Sequence, residues 1–281
     1  MKNKVKKMDV LIGFDKHRKP VGVKFIKNKE EYEKTNIQEA SHQMFFCMMV
    51  KSATVGHSLK VKREHIYCSA RSESLGFSKP SDDLLSGKVG FKRNMYETEE
   101  VSSKMAKKVP YINHEVYGMV IQPLENYIDN PDVVILFLNP YKAMRVVQSY
   151  SYKFGPMNNI HFAGMGGICT ELMARAYKYN DISISLLCSG TRFAAEWKDE
   201  EMGIAFPYSK FDMILEGIEK TSNTFEPDDK KVEIKKRMIE SGITLNEELV
   251  YGENYHGSSL GIARMGVKGY RKNLVNRRNN K

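Results

Sequence analysis

The run Val133-Val-Ile-Leu-Phe-Leu138, followed at once by Asn139-Pro140, leaves its segment few ways to fold. Six consecutive apolar residues read as a strand buried on both faces. Asn139 can cap a helix start, and Pro140 suits the first helical position, where a missing N–H costs nothing. The helix continues through Ala143, Met144, Val147 and Tyr150 to Gly155, which makes a strand-to-helix step of the α/β type. Around this unit, Pro20–Ile26 alternates like a half-buried strand, Leu59–Cys68 reads as a short basic strand, and Tyr117–Pro123 reads as another. Asn36-Ile-Gln-Glu resembles a capping box, which predicts a helix from there to Gly56. Residues 72–108 read as surface loop with one exposed helix, and Lys210–Thr221 as an amphipathic helix.

The chain has four cysteines, and they fall in two similar settings. Cys47 lies in or before the helix of the first half, and Cys68 closes a short strand and leads into Ser-Ala-Arg71. Cys169 follows the turn Gly164-Met-Gly166-Gly167 at a helix start, and Cys188 closes a short apolar strand and leads into Ser-Gly-Thr-Arg192. Cys169, Leu172, Met173 and Ala176 fall at i, i+3, i+4 and i+7, which places the first thiol on a buried helix face. Twenty residues separate the first pair and eighteen the second, and corresponding cysteines lie 122 and 120 positions apart. This agreement predicts an internal duplication, with halves at about 15–110 and 117–225. The expected architecture is two pseudo-symmetric α/β lobes, each a short mixed sheet flanked by helices, in a core spanning 1–225. From 226 to 281 the chain is polar and Gly/Asn-rich with one helical segment near Lys231–Ser241, and it is expected to be a basic C-terminal appendage.

The formal charge of +10 invites a nucleic-acid reading until it is located. Residues 1–8 and 264–281 carry eleven basic side chains and no acid, so the stretch between them sums to −1. The basicity belongs to the ends, and nucleic-acid binding through them is an alternative class of function. Tyr251, Tyr255, His256, Arg264 and Lys268 supply a basic, aromatic mix near the C-terminal end that is compatible with it. The N-terminal apolar stretch is interrupted by Asp9 and lacks a cleavage site, and the longest apolar run is far short of a membrane span. These features predict a cytoplasmic protein with reduced thiols.

Four thiolates can complete the ligand set of an iron-sulfur cluster or of a tetrahedral zinc. Ligands scattered along the chain, without close pairs, favour a [4Fe-4S] cluster over zinc. Gly166 and Gly167 offer backbone N–H groups to a thiolate or a cluster sulfur, and Arg71 and Arg192 can offset the negative charge of four thiolates. The competing reading leaves the cysteines as buried core thiols, with no metal. Of seven histidines, His65 and His161 lie nearest the cysteine segments, and the lone Trp197 reads as core. No catalytic residue can be assigned, and Cys169 has no identifiable base.

The phrases P-V-G-V-K-F, F-F-C, P-D-V-V-I-L-F-L-N-P-Y-K-A-M-R, G-G-I-C, C-S-G-T-R-F and E-M-G-I-A-F-P resemble the prokaryotic domain-of-unknown-function family 169, over roughly Pro20 to Ile218. That resemblance implies cysteines at the positions of Cys47, Cys68, Cys169 and Cys188 as a family feature, which favours a cofactor site. It implies no reaction and nothing about the basic tail. The function it leaves is redox or Lewis-acid chemistry on a small ligand beside the cluster. A non-catalytic electron carrier or sensor is the alternative, with a redox partner not identified by the sequence.

Overall fold

A six-stranded sheet divides the computed structural model, which describes residues 1–113, 115–158 and 160–251, into two faces. The strands are β1 (Val21–Ile26), β2 (Leu59–Lys62), β3 (Gly118–Pro123), β4 (Val133–Leu138), β5 (Ser183–Ser185) and β6 (Met202–Pro207), in the order β2-β3-β1-β4-β6-β5. Every strand pair is antiparallel. Strand β4 sits near the middle and alternates its side chains: Val133, Ile135 and Phe137 enter one core, while Val134, Leu136 and Leu138 enter the other. Its apolar run is therefore explained by burial on both faces, in an antiparallel setting.

On one face pack the helix Phe46–Thr54 and the segment around Cys169; on the other pack the helices Lys2–Ile12, Pro140–Phe154, Phe211–Lys220 and Asp228–Ser241. Asn139 caps the Pro140–Phe154 helix by accepting from the Lys142 N–H at 2.9 Å, as its sequence predicts.

The α/β class is borne out, with one antiparallel sheet in place of the separate lobes with short mixed sheets that were expected. The lead-in strands of the two expected halves, β1 and β4, pair with each other through Val21↔Ile135, Gly22↔Val134 and Val23↔Val133, so the sheet is continuous. Strand β3, placed by the sequence at the start of the second half, pairs with β1 and β2 rather than with later strands. Read from one edge the order is β2-β3-β1, and from the other β5-β6-β4.

The helix predicted from Asn36 begins instead at Phe46. Residues before it run extended beside the β2 segment, with bridges Glu39↔Lys60 and Met44↔Ile66, and this pairing overrides the capping-box signal. Residues 72–108 hold several short helices where one was expected. Nor does the chain break at 225. Glu226 is buried against Arg145, and Ile234, Leu245 and Leu249 belong to the core with the N-terminal helix. Residues 226–251 are thus packed structure, while the Arg264–Lys281 basic run lies outside the described residues. At the other end Lys4 pairs with Asp212 at 2.7 Å and Lys7 with Glu219 at 2.8 Å, so two of the N-terminal lysines are tied to the Phe211–Lys220 helix. Among the described residues, no helix is long and apolar enough to cross a membrane.

Candidate metal centre

Each cysteine is placed by the start of a helix. Phe46, Met49, Val50 and Ala53 form the buried stripe of the Phe46–Thr54 helix. Cys47, one residue on, is turned by about 100° to the margin of that stripe, where it is half-buried. Cys68 is the cap residue of the short helix Ser69–Ser74, and its segment is stitched to that of Cys47 by Met44 N–H to His65 O at 3.0 Å and Tyr67 N–H to Met44 O at 3.1 Å.

Cys169 lies in a π-helix, Gly167–Ala174, a form that is rare and concentrated at functional sites. The wider turn shows in Glu171 N–H donating to Gly166 O, five residues back, at 3.0 Å. Cys188 caps the helix Ser189–Ala195, its sulfur accepting from the Thr191 N–H at 3.4 Å as a serine or aspartate cap would.

Two glycines bring these segments together, each for a different reason. Gly166 has φ 68°, and a side chain there would crowd Thr170 and stand 3.0 Å from the Arg71 guanidinium. Gly167 lets the backbone of Leu187 and Cys188 approach, since an added carbon would sit 2.8–2.9 Å from it. Lys51 then ties the Cys47 helix to the end of the Cys188 helix, donating to Ala195 O at 2.6 Å and Glu196 O at 3.0 Å.

The outcome is a cavity of about 280 Å³ lined by all four cysteines, with Arg71, Gly166 and Thr191. Phe45, Phe46, Met95, Met165 and Ile168 supply apolar walls, and the exposed Ser189 and Gly190 mark its solvent side. No hydrogen bond or ion pair engages the Arg71 guanidinium among the described residues, so a cation faces the thiols with its charge unmatched. Burial pushes the Cys169 thiol up to about 12, against the pull of Arg71, and the three other cysteines add to the rise. Burial, then Cys188, pushes Cys47 up to about 11. Neutral thiols are the stable form at physiological pH, and a bound cationic centre is what converts such thiols to thiolates.

Of the residues singled out in the sequence, Cys47, Cys68, Cys169, Cys188, Arg71 and Gly166 line the cavity, and Gly167 supports it from behind. Arg192 is a correction. Its guanidinium donates to the carbonyls of Leu186 at 2.9 Å and Glu201 at 3.0 Å, and also to Lys198 O, so it braces a loop and does not face the thiols. The reason is helical phase. Arg71 stands three residues after its cap cysteine and Arg192 four after its own, and it is Thr191 that occupies the position equivalent to Arg71.

His65 and His161 stay out of the cavity. His65 accepts the Lys62 N–H through Nδ1 at 3.1 Å and faces Glu39 at 3.6 Å. It forms with Glu39 and Glu64 a trio whose ligand atoms lie within 4.8 Å, but the Lys62 ammonium already sits 3.2 and 3.0 Å from the two carboxylates. Trp197 is core, tilted against Phe137 at 3.9 Å with Arg18 over its ring at 4.9 Å.

Sequence reasoning missed Glu171. This buried carboxylate accepts from the N–H of Ala163 at 2.7 Å and of Gly164 at 3.1 Å, and from the Ser185 hydroxyl, which in turn accepts the Leu187 N–H at 2.9 Å. It thereby fixes the glycine turn before Cys169 relative to the strand end before Cys188. Its only sequence signal is an acid inside an apolar helix run, which by itself names no partner.

A family model described as an uncharacterised ArCR family, DUF169, matches residues 14–217, a span that contains all four cysteines. An uncharacterised protein of Methanocaldococcus jannaschii is 30% identical over 211 residues, covering 71% of this chain and 86% of that protein. No solved structure matches. With its cysteine cavity, glycine turn and central sheet all inside the matched span, the chain belongs to the DUF169 family.

Proposed function

We propose that this protein holds a [4Fe-4S] cluster on the thiolates of Cys47, Cys68, Cys169 and Cys188, and acts in redox or cluster-assisted chemistry on a small ligand in a reducing, cytoplasmic setting. One observation carries the reading: the only four cysteines of the chain, scattered over 142 positions of sequence from Cys47 to Cys188, line one cavity. Packed core thiols, the competing reading, need not share one cavity wall. The donor set fits the group, since four thiolates are the usual complement of such a cluster and unmatched Arg71 offsets the negative charge of the loaded centre. When bound, the cluster supplies one-electron redox capacity. The residues hold it, neutralise it and shield it with Phe45, Phe46 and Met165.

Zinc is the alternative guest; ligands scattered along the chain without close cysteine pairs favour the cluster over it. If all four thiolates held the cluster, its chemistry toward the small ligand would be electron transfer rather than direct binding to iron. The strand orders β2-β3-β1 and β5-β6-β4, with a cap cysteine after β2 and after β5, also support an internal duplication in which each half contributes two ligands. Nucleic-acid binding through the ends gains nothing from the N-terminal lysines that are already paired.

Single Cys→Ser changes test the proposal. Each is expected to lower iron and sulfide content sharply while far-UV circular dichroism is retained. Four variants that keep the wild-type cofactor content, losing only stability, would contradict it.

A further inference from the structure

Thr191 is 2% exposed and lines the cavity. Its Oγ1 lies 3.0 Å from the Cys188 sulfur, and its backbone N–H donates to that same sulfur at 3.4 Å. Cys47 lines the same cavity. At the equivalent position after Cys68 stands Arg71, so both cap cysteines are followed, three residues on, by a donor facing the thiols.

We propose that the Thr191 hydroxyl is a positioning group for the cofactor, donating to the ligand sulfur of Cys188 and so raising the reduction potential of the centre. The inference rests on the cluster reading above. A ligated thiolate carries no proton, so the hydroxyl is the donor in this contact. Hydrogen bonds to ligand sulfurs withdraw negative charge and stabilise the reduced form, which bears one electron more. Because the Thr191 N–H continues to serve Cys188 in any variant, a side-chain substitution removes the hydroxyl's share alone. A hydroxyl that merely supports the helix start would alter stability and leave the potential where it is.

The test is an anaerobic redox titration of the cluster-loaded full chain, followed by electron paramagnetic resonance, for the wild type and for Thr191→Val, Thr191→Ala and Thr191→Ser. The expected result is a shift to lower potential in the valine and alanine variants, wild-type behaviour in the serine variant, and equal iron and sulfide content in all. The alanine variant, with no branched side chain to fit, carries the comparison if the valine variant does not fold. Loaded variants with an unchanged potential would overturn the role of Thr191 alone. A wild-type chain that takes up no cluster would overturn the cluster reading, and the role with it.

Discussion

Gly166 and Gly242 share almost the same backbone, at φ 68° and 69°, but only Gly166 has neighbours where a side chain would go. Alanine at either position carries the left-handed penalty of about 1–2 kcal/mol. At Gly166 it must also displace Arg71 or Thr170, so G166A is expected to lose both about 1–3 kcal/mol of stability and cofactor retention. G242A should lose stability only, and denaturant unfolding with iron analysis of the two variants separates the effects. The half-buried thiols give a second expectation. In the cofactor-free protein, alkylation of Cys169 and Cys47 should be slow at pH 7 and rise as pH climbs from about 9 towards about 11 for Cys47 and 12 for Cys169. Because these folded-state values lie above the unfolded one, the neutral thiols contribute stability that is intact below pH ~9 and is lost as pH rises through the folded values. Mass-resolved alkylation rates against pH check both residues. At this scale the sequence was informative about which residue types matter and uninformative about phase. Arg192 and Thr191 are neighbours in the chain, yet a 100° turn sends one to a loop and the other to the sulfurs.

Among the elements, the strongest local signals were the ones the fold kept. The apolar run of β4 and the Asn139-Pro140 start survive because burial on both faces and a satisfied cap agree with each other. The π-helix was not legible, since the shift from a four-residue to a five-residue hydrogen-bond step leaves no mark in composition. The C-terminal helix Asp228–Ser241 was legible as a helix but not as part of the core. Its sequence is highly charged, with Lys231 and Ile234 its buried residues, and the rest of the contact comes from Leu245 and Leu249 in irregular chain. Its attachment depends on a buried ion pair, Arg145 Nε to Glu226 at 2.5 Å, with Arg145 also donating to Ile218 O at 3.2 Å. Arg145→Met leaves the Glu226 charge unpaired in the interior and is expected to cost about 3–5 kcal/mol. Adding Glu226→Gln should recover part of that loss. Equilibrium unfolding of the single and double variants measures the difference.

For the molecule as a whole, the pairing of β1 with β4 decides the architecture. It joins what the sequence presents as two halves into one sheet, and it sets the helices carrying Cys47 and Cys169 on the same face. Strand order could not be read from the chain, because β1 finds its partners β3 and β4 about a hundred positions away. The cysteine repeat pointed to convergence, but only the folded chain shows the two pairs facing one space. The most direct measurement is therefore the iron and acid-labile sulfide content of the full chain purified without oxygen. A brown protein with about four iron and four sulfide per chain is the predicted result. A colourless, fully folded protein without iron, or one carrying a single zinc, would contradict it.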